Sequence, residues 1–338
     1  FSSLIRLIPQ KETTASADTE YITILKKDAL RDLLPNIQVE FAVDTETTSQ
    51  YPMKASLVGM SLCIEPEKAY YIPLSHLYLG VPEQLSKPYV IEKMQGPLED
   101  KDISKIGHNI KYDLIILKNE GIDLHGITFD TMIASYLLNP NRANHSLENV
   151  SMDHLGMKKL SYDEVTGKGK KNFSEVEIDV AATYAGSDAA ATLLLKQRLE
   201  PELEKQGLSK LFHEIEMPLV EVLADMEMAG VKIDLPLMDS FSRQLEKEIA
   251  SIEKRIYFLA GQEFNINSPK QLQEILFDKL GLRTRKKTKT GFSTDIEVLE
   301  QLALEHELPK EIIEHRSLAK LKGTYVDALP KLVNAKTG

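Results

Sequence analysis

Three stretches of the sequence place acids where they could hold divalent cations around a phosphodiester. Asp44-Thr45-Glu46 closes the apolar run VEFAVDTET. Residues two apart on a strand face the same way, so Asp44 and Glu46 can present two carboxylates to one site. Asn109-Ile-Lys-Tyr-Asp113 follows the short run SKIGH. Four apart at a helix start, Asn109 and Asp113 share a face. Tyr184-Ala-Gly-Ser-Asp188 repeats that spacing on a helix that Ser174-x-x-Glu177 is expected to open as a capping box.

Four carboxylates gathered within a few ångströms repel, and their pKa values rise unless positive charge intervenes. A pair of divalent cations supplies it, and hard oxygen ligands suit Mg²⁺ or Mn²⁺. Two such ions ~3.5–4 Å apart stabilise the attacking and leaving oxygens of an in-line phosphoryl displacement. One generates a hydroxide nucleophile and the other neutralises the leaving 3′ oxygen. Tyr184 is expected to orient the attacking water through its hydroxyl. Each motif alone has a plainer reading: a strand-end turn, a capped helix with a surface acid, a helix with a solvated aspartate. Together, in this order and on these elements, they point to one site.

The elements that must position these residues are visible in outline. Residues 21–73 read as strands, with VEFAVDTET, SLVGMSLCIE and KAYYIPL separated by polar turns. From about 86, helical periods alternate with one more strand, SKIGHN. This predicts an α/β domain, a mixed sheet with flanking helices, over 1–207, with 1–20 as an extension. After Gly207 the pattern is helical. Pro218 predicts a kink in a long helix closed by Gly230. Ser268-Pro269-x-Gln271 predicts a capping box with Gly281 as the stop, and Thr294-x-x-Glu297 opens a further helix. Residues 208–338 are therefore expected to form an α-helical subdomain.

Lys and Arg number 41 against 51 Asp and Glu, giving a net charge of −10. That excludes a strongly basic nucleic-acid coat but not an enzyme that grips DNA locally. The run Arg283-x-Arg285-Lys286-Lys287-x-Lys289 reverses the sign locally, and His315-Arg316 with Lys320 and Lys322 offers an extension of that basic face. No uncharged run approaches the ~18 residues that span a bilayer. The single cysteine, Cys63, lies in the apolar run SLCI and reads as a buried thiol in a reducing, cytoplasmic compartment. FSSLIRLI is too short for a signal peptide and reads as the tail of an upstream segment.

FAVDTET, KIGHNIKYD and YAGSDAAAT resemble the three exonuclease motifs of the DEDD superfamily, and Tyr184, in place of a histidine, resembles the DEDDy branch. FDTMIASYLLNP, EVTGKGKK, EIEMPLVEVLADMEMAGVKID, FNINSPKQLQEILFDKLGL and HRSLAKLKGTYVDALPKL are similar to family A DNA polymerases of the bacterial polymerase I type. The resemblance runs over 38–338. It implies a ribonuclease H-like, DnaQ-like exonuclease fold followed by a polymerase thumb, with the palm and fingers beyond NAKTG and a 5′-nuclease domain before Phe1. It implies that Asp44, Glu46 and Asp188 bind one metal, and that Asp44 bridges to a second, which Asp113 contacts through water. Thr45, Gln50, His108, Asn109 and Tyr162 would meet the single-stranded 3′ end, with Tyr162 stacking on a base. Arg285, Lys286 and Lys287 would contact primer-template duplex. Two positions depart from the family: Gln50 stands where leucine often wedges against the terminal base, and His108 where glutamine is frequent.

The expected activity is metal-dependent 3′→5′ hydrolysis of single-stranded or frayed DNA by a monomer, the proofreading part of a polymerase, without nucleotide incorporation by residues 1–338 alone. A DEDDy ribonuclease trimming RNA and a non-catalytic DNA-holding module are the alternatives.

Overall fold

The computed structural model describes residues 19–283, 287–288 and 291–338. Contacts divide the chain into two units, Phe1–Gly230 and Val231–Gly338. In this division the helices after residue 207, as far as Gly230, group with the first unit. Its last helix is tied to the helix carrying Asp113 by the ion pairs Lys111–Glu227 and Lys118–Asp225, the latter 3.0 Å long.

The first unit is built on a six-stranded mixed sheet of β1 (Glu20–Thr23), β2 (Glu40–Thr47), β3 (Leu57–Glu65), β4 (Lys68–Pro73), β5 (Ser104–Gly107) and β6 (Ile127–Asp130). The spatial order is β1-β4-β3-β2-β5-β6. β2, β3 and β4 form an antiparallel meander, and β5 and β6 join in parallel beside β2. β3 is buried at every position from Leu57 to Cys63, as a central strand shielded on both faces is. Cys63 is buried as expected, and burial pushes its thiol up to about 12, which keeps it inert at neutral pH. The run 21–73 is not all strand, because Lys27–Leu33 is a helix, α1, that buries Leu30 and Leu33. ITFD, which sequence reasoning did not single out, is β6.

The helices of this unit are α2 (Lys87–Glu99), α3 (Ile110–Asn119), α4 (Thr131–Leu138), α5 (Leu147–Leu155), the single turn α6 (Tyr162–Val165) and α7 (Ile178–Lys205). α7 lies across the sheet and buries an alanine-rich stripe, Ala181 to Ala191, that lets it approach closely. Ser174-Glu177 does not cap it. The reciprocal box is Asn172 with Glu175, on the 3₁₀ turn just before. The chain then continues through α8 (Ser209–Leu211), a π turn Phe212–Glu216, and α9 (Met217–Ala229), with Pro218 in the first turn of α9. Proline lacks an N–H and its ring crowds the carbonyl four residues back. The widened turn before Pro218 absorbs that conflict, so the irregularity appears as a π turn upstream of it.

The second unit has its own core of Ile252, Ile256, Leu272, Leu276, Leu299, Leu302 and Ile312. α10 (Leu235–Ala260) packs along the later helix Glu307–Lys320, with α11 (Pro269–Gln273) and α12 (Ile296–Leu302) between them in sequence, so Glu307–Lys320 is α13. Two-residue strands β7 (Lys287–Thr288) and β8 (Gly291–Phe292) interrupt the helices. Ser268 caps α11 as expected, but Gln271 Oε1 accepts from Asn265 N, so the box is half formed. The cap of α12 is Asp295, one residue after the expected Thr294. The ribonuclease H-like sheet followed by a helical, thumb-like region is the fold class that the sequence implies.

Candidate active site

The four acids reach one pocket from three elements. Asp44 and Glu46 stand near the end of β2, Asp113 in the first turn of α3, and Asp188 in α7. The pocket is lined by all four, with Thr45, Gln50, His108, Asn109, Tyr162 and Tyr184. Every expected residue of the first unit therefore lines one cavity. Arg285 and Lys286 lie outside the described residues. Lys287 is described only as backbone in β7.

Local chemistry explains the placement. Alternation turns Thr45 away from its two acidic neighbours and toward α3. Its N–H donates to Asp113 Oδ1 at 2.8 Å and its hydroxyl donates to the same oxygen at 2.6 Å. This clamp joins β2 to α3 and fixes one acid relative to the other two. Thr47 and Tyr112 share a further hydrogen bond between the same elements, and the Tyr112 hydroxyl donates to Ser49 O. Asn109 stands at the start of α3 in the left-handed region, φ 62° and ψ 42°, which asparagine tolerates better than most residues, and its side chain caps nothing there.

Asp130, which sequence reasoning missed as a site residue, holds that turn. Its carboxylate accepts from the N–H of Asn109 at 3.2 Å and of Ile110 at 2.8 Å, and caps α4 through Met132 at 2.8 Å and Ile133 at 3.2 Å. One buried aspartate thus fixes the starts of two helices. The available signal was its position just before the apolar run MIASYLL.

Electrostatics mark the site as a place where negative charge is costly. Burial, then repulsion from Asp188, pushes the Asp44 carboxyl up to about 7. Burial raises Glu46 and Asp113 well above the usual carboxylate range, each further raised by Asp44, while the Thr45 hydrogen bonds oppose the rise at Asp113. Burial also raises Asp188, against the pull of Lys159 and a hydrogen bond from Tyr184. Burial drives the Tyr184 hydroxyl far above its ordinary value, so it stays protonated and available as a donor. His108 is pushed down to about 3 by burial and then by Lys159, and its Nδ1 lies 2.8 Å from Thr131 Oγ1, so it presents a neutral ring to the pocket.

The donor chemistry fits hard divalent cations: all-oxygen ligands, mutually repelling, with their ionisation suppressed for want of positive charge. As arranged, no group of three or more such side chains among the described residues is close enough to grip a metal ion. Positive charge comes instead from Lys159, which forms an ion pair with Asp188 Oδ1. Sequence reasoning missed this residue, because a lysine pair in a loop reads as solvated charge. Tyr162 is 46% exposed, and its ring lies nearly parallel to Phe173 with centroids 6.2 Å apart. One face is therefore backed by the protein.

Of the basic residues at 315–322, Lys320 is exposed, while the other three have partners within the second unit. His315 is buried against Glu253 at 3.2 Å, Arg316 donates to Thr294 O at 2.6 Å, and Lys322 pairs with Asp327 at 2.8 Å.

Residues 21–204 match the model of a family described as 3′-5′ exonuclease, and residues 236–338 match DNA polymerase family A. The chain is 40% identical to DNA polymerase I of Pseudomonas aeruginosa, an alignment covering 97% of this chain and 37% of that protein. It is 41% identical to DNA polymerase I of Synechocystis, covering 93% of this chain and 32% of that protein. The chain thus spans about a third of the length of these curated relatives. A solved structure, the POL domain of Pol1 from M. smegmatis in complex with DNA primer-template and dNTP, superposes with a TM-score of 0.78 at 25% identity, covering 93% of this chain and 51% of that one. The chain belongs to the 3′-5′ exonuclease family, joined to a segment of DNA polymerase family A.

Proposed function

We propose that the pocket hydrolyses the terminal phosphodiester of single-stranded or frayed DNA 3′ ends, releasing 5′-mononucleotides. Asp44, Glu46, Asp113 and Asp188 would hold two divalent cations, Mg²⁺ or Mn²⁺. When bound, the cations supply the charge that lets the acids ionise together and a hydroxide at neutral pH. The observation that carries the reading is the convergence of these acids, from three separate segments, on a cavity that also contains Asn109, Tyr162 and Tyr184.

The chain's own groups divide the work. Thr45 holds Asp113 in place with two hydrogen bonds. Tyr184, kept protonated, orients the attacking water beside Asp188. The exposed face of Tyr162 stacks on a base, worth ~1–3 kcal/mol per base. Gln50, His108 and Asn109 line the remaining wall and hold the terminal nucleotide. A mismatched end costs less to unpair, so such a site favours errors.

The relatives are named as DNA polymerases, which favours DNA over RNA as substrate and a proofreading role in replication and repair. The second unit would act as a thumb on primer-template duplex through Arg285, Lys286 and Lys287. Monomeric action in the cytoplasm completes the proposal. No helix of the described residues is long and apolar enough to cross a membrane.

One observation favours a second reading, a DNA-holding module without catalysis: the acids are not at metal-gripping distance and one is paired with a lysine. A digestion assay on 3′-labelled single-stranded DNA with Mg²⁺ separates the two. Loss of mononucleotide release in Asp44→Ala supports the nuclease. Equal release by wild type and variant, or metal-independent DNA binding with no release, rejects it. Preference for RNA of the same sequence moves the substrate assignment.

A further inference from the structure

Lys159 is an unusual group to find beside a metal-type acid cluster. It is 5% exposed, and its ammonium meets Asp188 Oδ1. Yet neither Lys159 Nζ nor Asp188 Oδ1 has an aligned hydrogen-bond partner. A buried ion pair kept for structure satisfies its remaining donors and acceptors, because a desolvated ammonium without hydrogen bonds is costly. The contact favours the ionised form of Asp188 against the burial that raises its pKa. Among the described residues, Lys159 is the cation whose field also favours ionisation of Asp44 and Glu46.

The chain around it is a short irregular connection between two helices. Met157–Leu160 has no regular structure and runs from Gly156, the left-handed end of α5, to Ser161, the cap of α6. Tyr162 is the first residue of α6, three positions after Lys159. A shift of the lysine therefore displaces the aromatic ring expected to meet the substrate.

We infer that Lys159 is a resident counter-cation that competes with divalent metal for Asp188, and that its release on metal binding repositions Tyr162. This rests on the metal-dependent reading of the pocket. In the metal-free state the ammonium partly neutralises the acids. With a divalent cation held by Asp188, the Lys159 ammonium would be redundant and repelled, and the Met157–Leu160 segment would have to shift to release it. The device ties substrate grip to metal loading, so an unloaded site does not present Tyr162 in its binding position.

The test is calorimetric titration of the full chain with Mn²⁺. Lys159→Met and Lys159→Gln are expected to bind Mn²⁺ about 10-fold more tightly than wild type, and Lys159→Arg, which keeps the charge, no more tightly. Unchanged or weaker affinity in folded Met and Gln variants overturns the inference while leaving the nuclease reading intact. No Mn²⁺ binding by wild type or any variant overturns the metal-dependent reading itself. The chain has no tryptophan, so Tyr162→Trp provides a single reporter in the Lys159 background. Its fluorescence is expected to shift on Mg²⁺ addition. A spectrum indifferent to Mg²⁺, in a protein shown to bind it, refutes the coupling even if the lysine variants fail to fold.

Discussion

Replacing Asp44 by asparagine should stabilise the metal-free protein at alkaline pH, although it removes a group on which activity is proposed to depend. Burial and the Asp188 charge raise the Asp44 carboxyl to about 7. Starting from an ordinary carboxylate near 4, that rise makes ionised Asp44 cost roughly 4 kcal/mol at pH 8, at ~1.36 kcal/mol per pKa unit. Partial solvent access to the pocket screens the charge and brings the figure to about 2 kcal/mol. The sign follows from linkage. A carboxylate whose folded pKa is raised contributes its full stability below about pH 4, and that contribution is lost as pH rises to about 7. Asparagine is neutral throughout and avoids the loss. In EDTA, urea unfolding of the first unit should therefore show Asp44→Asn more stable than wild type by about 2 kcal/mol at pH 8, with the gap falling below ~1 kcal/mol at pH 5. With Mg²⁺ at ~100 times its dissociation constant, wild type should gain about 2.7 kcal/mol and the order should reverse. A variant less stable than wild type at pH 8 in EDTA, or a gap that does not change with pH, refutes the claim that burial, reinforced by the Asp188 charge, makes ionised Asp44 costly in this pocket.

Three further perturbations probe other parts of the site. Thr45→Val keeps the backbone N–H on Asp113 but removes the 2.6 Å hydroxyl bond. Losing a charge-assisted bond of about 1.5–3 kcal/mol should slow 3′-end digestion by roughly 10-fold or more with little change in DNA affinity. Unchanged rates mean that Asp113 is positioned by other contacts. Tyr184→Phe should lower single-turnover cleavage by ~10²-fold while leaving single-stranded DNA binding intact, and the wild-type pH–rate profile should show no alkaline fall from Tyr184, whose hydroxyl is held protonated. An alkaline limb that disappears in the phenylalanine variant contradicts this. Gly59→Ala should destabilise the first unit by roughly 1–3 kcal/mol or more, read as a lower urea midpoint, because an added Cβ would sit 2.1 Å from the Tyr71 hydroxyl. That hydroxyl lies 2.7 Å from buried His76 Nε2, whose Nδ1 is 2.9 Å from Val176 O, so it has little room to yield.

The sequence by itself determined the periodic features. Alternation along VEFAVDTET put Asp44 and Glu46 on one side of a strand, and four-residue spacing put Tyr184 above Asp188 on one helix. These follow from backbone geometry and need no partner. Caps were less legible. Ser174, Glu177 and Thr294 have the right residue types, but Asn172, Glu175 and Asp295 form the bonds, because the choice between nearby polar side chains depends on where packing ends the helix. The basic pattern at 315–322 was only partly legible for a related reason: sequence shows charge but not that Glu253, Thr294 and Asp327 are within reach of His315, Arg316 and Lys322.

Only the tertiary structure decided the rest. Asp130 matters because it serves two helix starts that begin 21 residues apart at Ile110 and Thr131. Thr45 matters because α3 brings Asp113, 68 residues away, onto its hydroxyl. Lys159 is one of two adjacent lysines in a loop, with nothing local to distinguish it from Lys158. Folding buries it against Asp188, and the energy of a charge depends on the long-range surroundings that exclude water from it.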